Sequence, residues 1–141
     1  MNQVISADAA MARAIECARL GLGKTSPNPI VGAVITSATG ELISEGFHQG
    51  ADHAEVVAIN AAKSIPTDAI IYVTLEPCQM CAGALYWSQI SKIVIGASDA
   101  HRGYRVMKTQ LHPKTKVIYG IMAKESKELI DDFFKNKREG K

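Results

Sequence analysis

Three cysteines among 141 residues are too few for a disulfide framework, so a reducing compartment is expected. No apolar run approaches the length of a bilayer span. The first residues also lack the basic stretch followed by an apolar run that marks a secretory signal. A cytoplasmic protein without a membrane partner is therefore the expectation. Charge excess is missing too: 16 Lys and Arg against 14 Asp and Glu leave a formal +2, which does not by itself argue for a polyanionic partner. There is no internal repeat and no linker, and the length suits one domain, 1–141, around one substantial core.

What is present is a regular alternation of elements. Ser6 suits the cap of a first helix in which Met11, Ala14, Ile15 and Ala18 recur at helical spacing, with Gly21 and Gly23 ending it. Cys17 falls on the inward stripe of that helix. Residues 30–36 and 42–47 read as strands around a turn at 37–40. A second helix is predicted over about 54–63, apolar almost all round and hence buried. A strand follows at 69–75, then a helix through Trp87, strands at 93–97 and 115–120, and a last helix from near Ala123. In that last helix Leu129 pairs with Phe133, and Ile130 with Phe134. Such alternation implies a three-layer α/β/α domain.

The chemistry is concentrated in His53-Ala54-Glu55 and, after the predicted strand, Pro77-Cys78-Gln79-Met80-Cys81. His53, Cys78 and Cys81 are three zinc ligands of the right type. Catalytic zinc sites hold three protein ligands and keep a fourth position open, whereas structural sites close it. Zinc lowers the pKa of bound water from about 15.7 to about 7. Glu55 is placed to handle that water's protons, first as base and then as acid. Asp52 is the expected N-cap of the helix opened by His53 and Glu55, and Pro77 suits the first turn of the next. Cys78 and Cys81 then lie one turn apart at the positive end of a helix dipole, which favours thiolates. A Cys-x-x-Cys pair alone would also fit a redox pair or half of a structural zinc knuckle. A fourth protein ligand would make this a zinc-stabilised nucleic-acid-binding module, with Cys17 or His48 the available donors and the basic tail Lys135, Lys137, Arg138 and Lys141 as its contact. Gly23-Lys24-Thr25 is not a phosphate-binding loop, because Ala18 stands where the first glycine belongs and a helix precedes it.

His-x-Glu followed by Pro-Cys-x-x-Cys is the zinc deaminase signature, and over nearly its whole length the chain resembles the cytidine deaminase-like superfamily. The resemblance implies a five-stranded mixed sheet with helices on both faces, zinc between two helix N-termini, and a homodimer or larger assembly. Its halves match different branches. Thr25 to Val34, Gly46-Phe47-His48 and Asp52 to Val56 resemble the riboflavin-pathway pyrimidine deaminase. In that branch the counterparts of Asn28 and His48 line the substrate pocket, but the two cysteines are separated by a long loop. Tyr72 to Ala84, Gly96 to Asp99 and the Phe133-Phe134 helix resemble bacterial tRNA adenosine deaminases, and Tyr86-Trp87 is similar to free-base deaminases. A join between two ancestries near 72–78 is one explanation.

The expectation is a zinc-dependent hydrolytic deaminase of a nucleobase, nucleoside or nucleotide. Adenosine, with tRNA as a partner, ranks first; the riboflavin diaminopyrimidine and a free guanine or cytosine base are alternatives. Asn28, His48 and Asp99 are candidate substrate contacts, each with a plainer alternative: a turn former, a surface histidine and a loop cap. Glu76 is expected to anchor backbone near the metal, and Trp87 to lie in the core or an interface.

Overall fold

The structure is a computed structural model that describes residues 4–25 and 28–138, without the side chains of Lys137 and Arg138. Ser26 and Pro27 of the riboflavin-like motif lie outside the described residues, as does Lys141 of the basic tail. In chain order the elements are α1 (Ala7–Arg19), β1 (Gly32–Thr36), β2 (Leu42–Phe47), α2 (Ala54–Ala61), β3 (Ile70–Leu75), α3 (Gln79–Ser88), β4 (Lys92–Ala97), β5 (Lys116–Tyr119) and α4 (Ala123–Arg138). They form one five-stranded sheet in the order β2-β1-β3-β4-β5. β1 runs antiparallel to both β2 and β3, whereas β3, β4 and β5 are mutually parallel. The expected mixed sheet is present. No helix among the described residues is long and apolar enough to cross a membrane.

Two-residue periodicity sorts the strand side chains onto two faces. Ala33, Ile35, Ile71, Val73, Ile93 and Ile95 pack with Ala54, Ala58, Ala82 and Leu85 of α2 and α3. The alternating positions Val34, Tyr72 and Val94 pack with Met11, Ala14 and Ile15 of α1 and Leu129 of α4. β1, β3 and β4 are thus covered on both sides, which is why they read as unbroken apolar runs.

Several expectations change in detail. α2 buries only one face, through Ala54, Glu55 and Ala58; its alanines make the whole segment look apolar although one side is open. Trp87 is 80% exposed, which excludes the core. α1 is capped by Ser6, whose side chain accepts from the Ala9 N–H, and buries Cys17 as its spacing predicts. Gly46 allows α2 to lie close on β2: a Cβ there would stand 2.8 Å from both the Ala54 carbonyl oxygen and the Ala58 nitrogen.

Candidate metal centre and pocket

Parallel β3 delivers the chain to the head of α3, and the loop after β2 delivers it to the head of α2, so two helix N-termini converge on one spot. The cap residues are the ligands themselves. His53 caps α2 with extended backbone and no side-chain cap bond, and Cys78 does the same for α3. Asp52 is therefore not the cap, and Pro77 precedes the helix instead of entering its first turn. Both have the extended backbone that Ser6 also shows, but where Ser6 turns its side chain back onto the helix, His53 and Cys78 turn theirs toward each other.

His53 Nδ1 stands 3.5 Å from Cys78 Sγ and 3.4 Å from Cys81 Sγ, and all three donor atoms lie within 4.8 Å of one another. A tetrahedral zinc with sulfur at about 2.3 Å and nitrogen at about 2.0 Å separates such donors by roughly 3.5 Å. The donor set fits zinc in both chemistry and spacing. The two thiols divide one role: the Cys81 thiol donates to Cys78 and the Met80 and Cys81 amides add to it, which brings Cys78 down to about 5. The same hydrogen bond drives Cys81 upward. One thiolate thus stands ready for a metal, which displaces the second proton on binding.

No fourth protein ligand completes the cluster among the described residues. Cys17 sits on α1, in the layer across the sheet. His48 falls outside the three-donor cluster; its Nε2–H donates to the Gly50 carbonyl at 2.9 Å, since a carbonyl can only accept. His48 is also not a surface residue. It is 2% exposed and its ring stacks on His53 with centroids 4.8 Å apart. Burial pulls its pKa below the usual imidazole range, which favours the neutral ring beside the metal position.

Glu55 lies in the first turn of α2 and is 3% exposed; burial pushes its carboxyl up to about 7. A cavity of about 60 Å³ is lined by Asn28, Pro29, Val31, His48, His53, Glu55, Leu75, Glu76, Cys78, Asp99 and Arg102. The structure therefore gathers Asn28, His48 and Asp99, read from three distant segments, around His53, Glu55 and Cys78. Asp99 also shapes its own loop, its Oδ1 accepting from the His101 and Arg102 N–H groups at 2.9 Å each. Arg102 was not anticipated. Its Nη1 donates to Asn28 Oδ1 at 3.2 Å across 74 residues of sequence, and no local pattern announces such a contact. A wider cleft of about 400 Å³ adjoins, sharing Pro29, Leu75, Asp99 and Arg102 with the cavity.

The fold and the three-donor centre define a zinc-binding deaminase domain. The family model for the cytidine and deoxycytidylate deaminase zinc-binding region matches residues 5–97, and the chain belongs to that family. The riboflavin biosynthesis protein RibD of Escherichia coli is 38% identical over 92% of this chain, which spans 38% of that protein. A diaminohydroxyphosphoribosylamino-pyrimidine deaminase of Buchnera aphidicola is 36% identical, with 92% of this chain and 95% of that protein covered. A tRNA-specific adenosine deaminase of Haemophilus influenzae is 34% identical over 79% of this chain and 74% of its own length. Among solved structures, the Thermotoga maritima diaminohydroxyphosphoribosylaminopyrimidine deaminase/reductase superposes with a TM-score of 0.80 at 36% identity, covering 94% of this chain and 41% of that one. Each of these similarities spans more than three quarters of the chain, and so reaches into both of its halves.

Proposed function

We propose that this domain is a zinc-dependent hydrolytic deaminase whose substrate is an aminopyrimidine nucleotide of the riboflavin-precursor type. One observation carries the reading: Asn28 and His48 share a cavity with His53 and Glu55, as the riboflavin-type resemblance implies. The 36–38% identity over 92% of the chain supports it. This reading displaces adenosine from first place, because the tRNA-specific relative covers less of the chain at lower identity.

Bound by His53, Cys78 and Cys81, zinc would supply the Lewis acidity that makes water nucleophilic at neutral pH. The remaining work belongs to the protein. Glu55 takes one proton from the attacking water and hands it to a ring nitrogen. It then takes the second from the added hydroxyl, as that oxygen becomes the carbonyl, and gives it to the departing amine, so one carboxyl acts as base and acid in turn. Its burial keeps bulk water from competing for those protons. The His48 ring packs against His53 and holds the imidazole plane. Asn28 offers an amide donor and acceptor to the base edge, and Asp99 and Arg102 bound the side from which the rest of the substrate projects.

Adenosine in tRNA remains the second reading, favoured by Cys78 and Cys81 being only one turn apart. Ammonia release from zinc-loaded protein, compared on the diaminopyrimidine nucleotide, adenosine, a tRNA anticodon stem-loop, guanine and cytosine, tests both. Release from the pyrimidine nucleotide at a kcat/KM well above the others is expected. Preference for the RNA would overturn the first reading in favour of the second.

A further inference from the structure

Glu76 directly follows β3, two residues before Cys78, and is 3% exposed, yet its carboxylate is outside the donor set. Both of its oxygens are engaged by the loop after β4. Oε1 accepts from the Asp99 N–H at 3.2 Å and from Arg105 Nη2 at 2.8 Å. Oε2 accepts from the Arg105 N–H at 3.3 Å and from Arg105 Nε at 3.2 Å. The same guanidinium donates to Ser98 Oγ at 3.0 Å and lies 4.1 Å from the centre of the Tyr119 ring. Tyr119 Oη meets Tyr104 Oη at 2.6 Å, and the Tyr104 N–H donates to the Pro77 carbonyl at 2.8 Å. The stretch 98–105 is thereby closed into a ring, with both ends tied to one carboxylate.

Gly103 shows how tight the ring is. A Cβ there would meet Glu76 Oε2 at 2.4 Å and the Asp99 carbonyl oxygen at 2.5 Å, so only glycine lets the loop pass this close. The part of the ring turned toward the cavity carries Asp99 and Arg102, and Arg102 reaches Asn28 on the opposite wall. Arg105 itself does not line the cavity.

We propose that Arg105 is a positioning residue for substrate binding, acting through Glu76 to hold Asp99 and Arg102 at the mouth of the metal pocket. A planar guanidinium satisfies both carboxylate oxygens at once, and a lysine, as a point charge, does not. Without the guanidinium the two loop ends lose their common anchor and the mouth loses its shape, while the metal ligands keep theirs. The kinetic part of this inference rests on the deaminase reading; the loop part does not.

The test compares wild type with Arg105→Ala and Arg105→Lys, all zinc-loaded, by amide hydrogen exchange over 98–105 and by steady-state kinetics on the diaminopyrimidine nucleotide. In Arg105→Ala the amides of Asp99 and Arg105 should exchange at least about tenfold faster. KM should rise about tenfold with kcat within about twofold, the signature of lost substrate positioning. Arg105→Lys should fall between, retaining charge without the fork. Unchanged exchange and KM would overturn the proposal. So would a fall in kcat and zinc content at constant KM, which would make the clamp a support for the metal centre. Exchange that responds to Arg105 in a wild-type protein releasing no ammonia would support the loop coupling and sink the deaminase reading instead.

Discussion

The floor and the rim of the pocket are built by different means. The floor is His53, Glu55, Cys78 and Cys81, carried by the first turns of two helices, α2 seated on the sheet by Ala54 and Ala58 and α3 by Ala82 and Leu85, none with exposed surface. The rim is Asn28, Asp99 and Arg102, carried by loops that are held by hydrogen bonds spanning 23 to 74 residues of sequence. On the proposed reading, the floor would offer the donors and the proton carrier that any deamination by this chemistry requires. The rim, on the same reading, would decide which molecule lies across them. A reaction class can therefore be common to chains whose rims, and substrates, differ.

That division can be broken at the floor first. Removing the metal with a chelator should abolish ammonia release and lower the melting temperature, with both restored by added zinc, because ligand binding stabilises the folded state alone. Activity persisting in demonstrably zinc-free protein would end the metal-dependent account. Next, Glu55→Gln should retain zinc and fold normally while kcat falls about 10²- to 10⁴-fold, the usual range for a lost acid–base group. A loss below tenfold would take Glu55 out of the proton path.

At the rim the effects should be smaller and fall on binding. Asn28→Ala removes one neutral hydrogen-bonding group, so KM should rise about three- to tenfold with little change in kcat. A dominant fall in kcat would place Asn28 on the floor's side of the division. A remote control gives the smallest effect. Arg13 on α1 holds the Glu45 carboxyl of β2 below the usual carboxylate range. A depressed carboxylate pKa contributes stability above the ordinary value, about 4.3 for Glu, and loses it as pH falls through the lower folded value. Wild type should exceed Glu45→Gln by at most about 1 kcal/mol at pH 7, since both partners are 39% exposed and screened. Melting curves should converge below that folded pKa while activity at neutral pH stays equal.

The floor was legible in the sequence because its residues fall in two short motifs and its strands are continuous apolar runs. The errors there are of one position: Asp52 and Pro77 look like helix starters, but His53 and Cys78 take the cap positions because their side chains are needed elsewhere. His48 was misjudged as a surface residue. Its neighbours Gln49 and Gly50 are exposed, but the ring turns inward onto His53, a stacking that no local pattern encodes. Glu76 was correctly read as a backbone anchor, yet its partner Arg105 lies 29 residues away and was invisible. Arg102 was missed for the same reason. Of the two places expected for Trp87, core or interface, its exposure on α3 removes the core, because the helix is apolar on more than one side and the sheet takes only one.

Gly46 has no donor atom and does not touch the cavity, yet it sets the height at which the first turn of α2 rides above the sheet. Any bulk at that position would act as a shim, lifting the imidazole away from the two sulfurs without replacing any ligand residue. Retention of the ion is thus tuned from beneath, by a residue that a catalogue of coordinating groups would pass over.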